Sequence, residues 1–259
     1  MLDLEFQKNN DAGRKTVVVS QPMYFPWVGQ LEQVRLADKF IFYDDVQFAR
    51  GFFNRVQIKV EKGSRWMTVP LQGRRSGQLI NEIQIDDRAD WRRSHMEIFR
   101  QAYRGARFLN DALGLMDEVF TKNAKNLAEL SEFSVRALVD YFSVDSAGKF
   151  CRSSDLKISG SGSQRILDIC RSLGAVNYLT GHGARGYLNH AGFESDDIDV
   201  FYAGYECLPY QQLHGGFNPY VSALDLVANC GVKGRDVISG YLIPWRDFIQ
   251  NDQLGVSSK

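Results

Sequence analysis

Residues 17–48 read VVVSQPMYFPWVGQLEQVRLADKFIFYDDVQF and contain two apolar runs separated by a segment with helical spacing. The runs cover residues 17–19 and 40–43, and each is followed by polar residues. Continuous apolar runs are typical of strands that are buried on both faces of a parallel sheet. The stretch therefore predicts a strand, a helix and a second, parallel strand in succession.

Polar side chains follow both of these predicted strands. In an open parallel sheet the carboxyl ends of the strands line the ligand crevice. An amide at such a strand end needs hydrogen-bond partners, which makes Gln21 a candidate substrate ligand. We expect one cleft to be lined by Gln21, Asp44, Asp45 and Gln47.

The rest of the chain fits one α/β domain with a parallel-sheet core. Residues 56–60, 66–71 and 80–85 predict the strands of an inserted β-meander, and apolar residues recur at helical spacing from 90 to 142. Strand, loop and helix patterns then alternate again up to residue 231. We expect a tail at 1–16, a single domain at 17–240 with a helical insertion around 90–142, and a tail at 241–259.

Charge and composition limit the classes of partner that the chain is expected to bind. Lys plus Arg and Asp plus Glu are each 31, and no basic run has the density expected of a nucleic-acid binder. No apolar stretch reaches the ~18 residues that cross a bilayer, and the first fifteen residues contain no apolar signal core. We expect a cytoplasmic protein without nucleic-acid binding or membrane insertion.

The metal-ligating residue types do not cluster in the sequence. The four cysteines lie far apart without a CxxC pair, and the four histidines show no paired-ligand spacing. We expect buried thiols that act as small apolar side chains, and no metal site.

Two adjacent aspartates and one histidine are the candidate catalytic residues. One of Asp44 and Asp45 can act as a general base or as a ligand for a hydroxyl, an amine or a metal-bound phosphate, and the other can cap a helix or turn. His182 lies in the glycine-flanked loop Gly181-His182-Gly183, and an imidazole suits proton transfer near neutral pH. The residues leave open which of the three is the base.

Several loop side chains are candidate substrate ligands. Aromatic residues of the proline-stiffened loop 21–29 suit a pocket wall, with packing in the core as the open alternative. Arg55 can grip a carboxylate or phosphate through two parallel bonds. The loop before Ser222 mixes hydrogen-bonding side chains with glycines, as carbohydrate sites often do. The candidates are Gln21, Tyr24, Phe25, Trp27, Gln47, Asn54, Arg55, Tyr210 and Gln212.

A glycine-rich stretch, KISGSGS at 157–163, precedes an amphipathic run over 164–173. A serine at such a position caps a helix, and the N–H groups of the first turn bind anions. Ser161 and Ser163 are therefore candidate phosphate ligands, together with Arg55. A capped helix without a ligand is the open alternative.

Six separated blocks resemble the WbqC-like family of bacterial proteins over about residues 17–231. The blocks are QPMYFPWVG, FYDDVQF, NRVQI, WMTVP, SQRILDICRSLGAVNYLTGHGARGYL and YQQLHGGFNPYVSALDLVANCG. The family pattern has Tyr-Pro-Gln where this chain has Tyr210-Gln211-Gln212. The resemblance implies a role in O-antigen or other surface-polysaccharide synthesis, with modification of a nucleotide-activated amino sugar by acyl or aminoacyl transfer.

The opening unit also resembles nucleotidylyltransferase and pantothenate synthetase domains, which have HUP or Rossmann-like folds. Their HxGH motif would correspond to Trp27-Val28-Gly29-Gln30, so both imidazoles are absent. Those histidines stabilise charge on the transferring phosphate, and their absence argues against adenylyl transfer. Residues 159–165 resemble the second phosphate-binding motif of these enzymes, which implies that Arg165 contacts phosphate.

Two classes of function follow from these residues and resemblances. The first is a transferase that acts on a nucleotide sugar, with a glycosyl or nucleotidyl transferase as a variant. The second is a non-catalytic protein that binds a nucleotide sugar or assembles enzymes of the same pathway. The sequence names no cofactor, and it leaves open whether the chain forms a homo-oligomer.

Overall fold

The computed structural model describes residues 15–49, 51, 53–73 and 75–253. Its strands are β1 (Thr16–Ser20), β2 (Lys39–Phe42), β3 (Arg55–Val60), β4 (Gly63–Thr68), β5 (Phe150–Arg152), β6 (Asn177–Thr180), β7 (Asp199–Tyr205) and β8 (Gly240–Pro244). Its α-helices are α1 (Val28–Leu36), α2 (Trp91–Ala102), α3 (Leu109–Thr121), α4 (Leu127–Tyr141), α5 (Ser153–Leu156), α6 (Gly162–Ser172), α7 (His190–Glu194), α8 (Ala223–Cys230) and α9 (Trp245–Gln253).

A six-stranded sheet in the order β5-β2-β1-β6-β7-β8 forms the centre of the molecule. Its strands are parallel except β8, which pairs antiparallel with β7. β1 and β2 are joined through α1 and pair from Val17 with Lys39 to Ser20 with Phe42. The strand, helix and parallel strand predicted for residues 17–48 are therefore present.

The apolar runs of β1 and β2 are continuous because both faces of the sheet are covered. Val18 and Phe40 belong to one buried cluster with Leu31 of α1, whereas Val17 and Ile41 belong to another with side chains of α6 and β6. Full burial of such a side chain stabilises the fold by roughly 1.5–3 kcal/mol. The mostly parallel α/β class expected from the sequence is observed.

The insertion between β2 and β5 contains a two-stranded β3–β4 sheet and the helices α2, α3 and α4. The strand predicted over residues 80–85 is wrong for residues Ile80–Glu82, which form a 3-10 turn, whereas Gln84 and Ile85 form isolated antiparallel bridges with Asn126 and Leu71. The backbone there bonds to other elements: Asn81 N–H donates to the Asp44 carbonyl, and the Ile83 carbonyl accepts from Leu127 N–H. The expected meander is therefore a hairpin followed by a turn.

The structure tests the two predicted terminal tails to different extents. Residues 1–14 lie outside the described residues, and Thr16 already belongs to β1. The prediction of a tail at 241–259 is wrong up to residue 253, because this segment supplies β8 and α9. Phe248 of α9 stacks on Tyr202 with ring centroids 4.0 Å apart. Residues 254–259 lie outside the described residues.

No helix in the described part of the chain combines the length and the apolar character needed to span a bilayer.

Candidate functional site

The strand order reverses between β1 and β6. From β1 the chain continues to β2 on one side, and it later returns to β6 on the other side. The carboxyl ends of strands at such a switch point form the ligand crevice of open α/β sheets. β1 ends at Ser20 and β6 ends at Thr180, so Gln21 and His182 both lie at this edge of the sheet. The name switch-point crevice is used below for the site of Gln21, Gln30, Gln33, His182 and Tyr205.

Two buried amide oxygens in this crevice lack hydrogen-bond partners. Gln30 is only 2% exposed. Its Nε2 donates to Ser20 Oγ at 3.2 Å and to the Gln21 carbonyl at 3.3 Å. Oε1 of Gln30 and Oε1 of Gln21 have no partner among the described residues. An unpaired buried acceptor costs about 1–3 kcal/mol, which a donor group on water or a ligand would offset.

His182 is held with one ring nitrogen available for chemistry. Its Nε2 lies 2.8 Å from the carbonyl oxygen of Ala203, and a carbonyl only accepts, so Nε2 carries the hydrogen. In the neutral ring Nδ1 then has a free lone pair. The exposed ring lies between Tyr205 and Phe248, with centroids 5.1 and 4.7 Å away. This arrangement can accept a proton from a substrate.

Tyr205 and Gln33 complete the crevice. The Gln33 amide donates a hydrogen bond to Tyr205 Oη. A Cβ on Gly181 would lie 3.2 Å from that oxygen and 3.4 Å from Gln33 Nε2, so glycine allows the close approach. Burial raises the pKa of Tyr205 to about 12. The hydroxyl is therefore neutral and keeps a proton to donate.

The carboxylate of Asp44 accepts hydrogen bonds from other groups of the protein. It is 3% exposed, and its carboxylate accepts hydrogen bonds from Ser154 N–H at 3.1 Å and Ser154 Oγ at 2.7 Å. Asn81 Nδ2 lies 3.4 Å away, and Ser153 Oγ lies 3.0 Å away. These bonds fasten the end of β2 to α5 and to the insertion.

Asp45 forms an ion pair with Arg165. Arg165 Nη2 is 2.5 Å from Asp45 Oδ2, and its Nε donates to the Ile158 carbonyl at 2.9 Å. The guanidinium also lies over the Tyr43 ring, 5.1 Å from the centroid. Ser153 Oγ is 2.5 Å from Asp45 Oδ1, so its single hydroxyl hydrogen can serve either Asp45 or Asp44. Arg165, which was expected to contact phosphate, is 5% exposed, and its guanidinium is bonded to Asp45.

The two candidate phosphate serines differ in their bonds. Ser161 is the exposed N-cap of α6, and its side chain makes no capping bond. Ser163 Oγ accepts from Asn189 N–H at 2.9 Å. The Asp45–Arg165 pair brings the first turn of α6 to the same sheet edge as the end of β2.

The three aromatic residues of loop 21–29 separate into two groups. Tyr24 and Phe25 are fully buried, and Tyr24 Oη bonds to His95 Nδ1 at 3.0 Å. Trp27 is half-buried and packs against Tyr205, with ring centroids 4.7 Å apart. Packing therefore accounts for Tyr24 and Phe25, whereas Trp27 borders the crevice.

Gln47, Asn54 and Arg55 make their contacts within the insertion between β2 and β5. Asn54 Nδ2 donates to the Val69 carbonyl at 3.0 Å. The exposed Arg55 stacks on Trp66 at 4.3 Å, and the exposed Gln47 bridges to Leu79. These bonds are not to members of the switch-point crevice.

Tyr210 and Gln212 belong to a buried network. Asp225, which is fully buried, accepts from Tyr210 Oη at 2.8 Å and Tyr103 Oη at 2.7 Å. Gln212 Nε2 donates to Tyr210 Oη at 2.9 Å. Burial raises the pKa of Asp225. The network fixes the segment that follows β7.

Sequence reasoning did not single out Gln33, and it treated Gln30 only as a missing histidine. A signal was present, because Gln30 and Gln33 are three residues apart on a helix and therefore share a face. That face lies against Gln21, which follows β1, and against Tyr205, the last residue of β7.

The fold and these side chains define an open α/β-sheet protein with a polar crevice at the strand switch point. The chain belongs to the WbqC-like protein family, whose family model matches residues 21–237. This match confirms the resemblance read from the six sequence blocks.

A curated relative is the uncharacterized protein Rv1507c of Mycobacterium tuberculosis (strain ATCC 25618 / H37Rv). It is 31% identical over 228 residues, which cover 86% of this chain and 97% of the relative. No solved structure matches the chain. The likeness to nucleotidylyltransferase domains accordingly stays a prediction.

Proposed function

We propose that the protein is a transferase that modifies a nucleotide-activated amino sugar in bacterial surface-polysaccharide synthesis. The favoured reaction is transfer of an acyl or aminoacyl group to the sugar amine. The observation that carries this proposal is an oriented base at the same sheet edge as unpaired acceptors: His182 is held through Nε2 by the Ala203 carbonyl, and the buried Oε1 atoms of Gln21 and Gln30 have no partner among the described residues. The polysaccharide pathway comes from the family resemblance.

The unpaired amide oxygens determine which substrate groups the site can bind. Amide oxygens accept hydrogen bonds, so they suit hydroxyl and amine groups and not phosphate oxygens. An amino sugar presents both kinds of donor. The Ser161 hydroxyl and the N–H groups at the start of α6 suit the diphosphate of the carrier, because the first turn of a helix favours anions.

In the proposed step, His182 Nδ1 removes a proton from the sugar ammonium group, and the resulting amine attacks the carbonyl carbon of an activated acyl donor. A C–N bond forms and the bond to the leaving group breaks. The proton held by His182 passes to the leaving group, and the second proton that the nitrogen loses passes to solvent. Tyr205 Oη donates a hydrogen bond to the developing oxyanion. Asp44 and Asp45 act as positioning residues that hold α5 and α6 at the sheet edge.

Mass spectrometry of nucleotide sugars tests the reaction class. Cells without the gene should accumulate an unmodified nucleotide amino sugar and lose its acylated product, and the wild-type gene should restore the product. Identical nucleotide-sugar pools with and without the gene would contradict a transferase that acts at this stage.

A non-catalytic binding protein is the second candidate, favoured by the involvement of both aspartates in internal bonds. His182→Asn separates the two candidates. A catalyst should keep the thermal stabilisation given by the nucleotide sugar and lose product. A binding protein should keep both.

A further inference from the structure

Two aromatic rings lie together at the border of the switch-point crevice. Trp27 immediately precedes α1, Tyr220 lies in the segment between β7 and α8, and their ring centroids are 5.8 Å apart. Tyr220 is 59% exposed. Packing of the core does not explain a large aromatic ring that remains exposed beside a polar crevice. The name aromatic rim is used below for Trp27 and Tyr220.

Backbone and side-chain bonds hold the two segments of the aromatic rim side by side. Trp27 forms an isolated antiparallel bridge with Ser222, two residues after Tyr220. Ser222 is fully buried, its Oγ donates to the Phe25 carbonyl at 2.8 Å, and its N–H donates to the Gln57 carbonyl at 2.8 Å. These bonds preorganise the aromatic rim, which lowers the entropy that is lost when a ligand binds.

Gly29, in the first turn of α1, allows the position of the Trp27 ring. A Cβ at residue 29 would lie only 2.4–2.7 Å from three carbons of that ring. The indole therefore lies directly on the helix backbone, and a larger residue at position 29 would displace it. Trp27 also packs against Tyr205, with ring centroids 4.7 Å apart. A continuous aromatic surface therefore extends from the exposed Tyr220 to the crevice.

The aromatic rim and the proposed diphosphate site lie on opposite faces of the central sheet. α1 packs with Val18 on one face, whereas α6 packs with Val17 on the other. Trp27 precedes α1 and Ser161 precedes α6, so the two residues approach the crevice from opposite sides. A nucleotide sugar with its diphosphate at the start of α6 would leave the aromatic rim to the second substrate.

We propose that the aromatic rim stacks the nucleobase of the acyl donor, an inference that rests on the proposed acyl transfer. Nucleobases stack through their faces on tyrosine and tryptophan rings. Leu208 and Phe217 lie beside Trp27, and their side chains offer no hydrogen-bond partners to the hydroxyl groups of a sugar. Activated acyl groups are carried as adenylates and as thioesters of coenzyme A, and both contain adenine. The donor class is therefore an acyl group activated on an adenine nucleotide.

Equilibrium dialysis of the full chain with adenosine 5′-monophosphate (AMP) tests the stacking contact without requiring turnover. Saturable binding is expected, and ribose 5-phosphate, which lacks the base, should bind more weakly by about fivefold or more. Tyr220→Leu keeps an apolar side chain but removes the ring, so it should weaken AMP binding to a similar extent. Tyr220→Phe keeps the ring and should bind AMP like wild type.

The matched control is Tyr241→Leu. Tyr241 of β8 is 54% exposed, but its ring lies against Gly204 and outside the aromatic rim. This variant should bind AMP like wild type. Gly29→Ala is a second probe that keeps both rings, and it should weaken AMP binding because the added Cβ displaces the indole of Trp27.

Steady-state kinetics separate the base of the donor from the base of the sugar nucleotide. With the nucleotide amino sugar identified by mass spectrometry, Tyr220→Leu should keep the KM for that substrate within about twofold of wild type. A KM raised by about fivefold or more would assign the stacking contact to the sugar nucleotide and overturn the donor assignment.

Any of three binding results would overturn the aromatic rim as a base site. These are no saturable AMP binding by the wild-type protein, equal binding of ribose 5-phosphate, and wild-type affinity for AMP in folded Tyr220→Leu. Failure of the transferase proposal gives a different result, because unchanged nucleotide-sugar pools in cells without the gene would leave AMP binding and its dependence on Tyr220 in place.

Discussion

Polar side chains follow the carboxyl ends of β2 and of the β1–β6 pair, and the two groups differ in whether their polar atoms have hydrogen-bond partners. After β2, Asp44 and Asp45 are bonded by Ser153, Ser154 and Arg165. At the ends of β1 and β6, the Oε1 atoms of Gln21 and Gln30 have no hydrogen-bond partner among the described residues, and His182 bonds the Ala203 carbonyl through Nε2. The ionisable groups at the β2 end hold the fold together, whereas the neutral amides of the switch-point crevice carry the acceptor atoms that we propose for a ligand.

The largest expected effect on stability comes from breaking the Asp45–Arg165 pair. Asp45→Asn leaves a guanidinium buried without its counter-charge, which should lower the free energy of unfolding by about 3–5 kcal/mol. The double variant Asp45→Met, Arg165→Met should recover most of this loss, because both charges are gone. Urea denaturation measures both effects.

The control for this prediction is Asp196→Asn, which breaks an exposed ion pair with Arg171 and should leave the urea midpoint close to wild type. If Asp45→Asn also had a wild-type midpoint, the proposed structural role of the β2 end would be wrong.

Glu32 gives the next largest effect, through pH. Its pKa is about 8 in the folded protein against 4.5 for the ordinary carboxyl group, so the folded state holds a proton that the unfolded state has lost. The contribution of Glu32 to stability is therefore fully present below pH 4.5 and is lost as the pH rises towards 8. Between pH 6 and 7 the loss should be roughly 1.4 kcal/mol.

Urea titrations of wild type and Glu32→Gln at several pH values measure the pH-dependent contribution of Glu32 to the free energy of unfolding. The difference in unfolding free energy between the two proteins should change with pH in the direction given above. Parallel pH dependences would show that Glu32 titrates normally.

Asp44→Ala should have a smaller effect on global stability and a clear local one. It leaves the N–H and hydroxyl of Ser154 without their acceptor, at a cost of about 1–3 kcal/mol. Amide hydrogen exchange should become faster in α5, whereas α8, on the other side of the sheet, should exchange as in wild type. Unchanged exchange in α5 would contradict the anchoring role.

Gln30→Met should change stability least of all. It removes two donated bonds but also removes a buried acceptor that has no partner, so the net change should stay within about 1 kcal/mol. Binding of the nucleotide amino sugar, measured by thermal shift, should weaken at least tenfold. Binding as tight as that of wild type would show that the unpaired Oε1 of Gln30 does not contact the sugar.

The elements at the centre of the sheet could be predicted from the sequence, and those at its edge could not. β1 and β2 are buried on both faces, so their apolar runs are continuous. β8 is an edge strand with a partly exposed pattern and ends at Pro244, which an edge position tolerates. Its sequence therefore lacks the signal that identified β1.

The partners of the candidate residues are set by contacts far apart in the chain. Asp44 bonds to a serine 110 residues away, and Gln33 bonds to Tyr205 across 172 residues. No local pattern carries such information. The glycine-flanked loop did indicate His182, but the hydrogen on its Nε2 follows only from the position of the Ala203 carbonyl.

The rate of product formation by purified His182→Asn tests the central claim most directly. The matched control is His214→Asn, because His214 also bonds a backbone carbonyl, that of Ala102, through Nε2 but lies outside the crevice. With the nucleotide amino sugar identified by mass spectrometry, His182→Asn should be slower by about 10²–10⁴-fold, and His214→Asn should stay within about threefold of wild type. Wild-type rates from folded His182→Asn would contradict catalysis in the switch-point crevice.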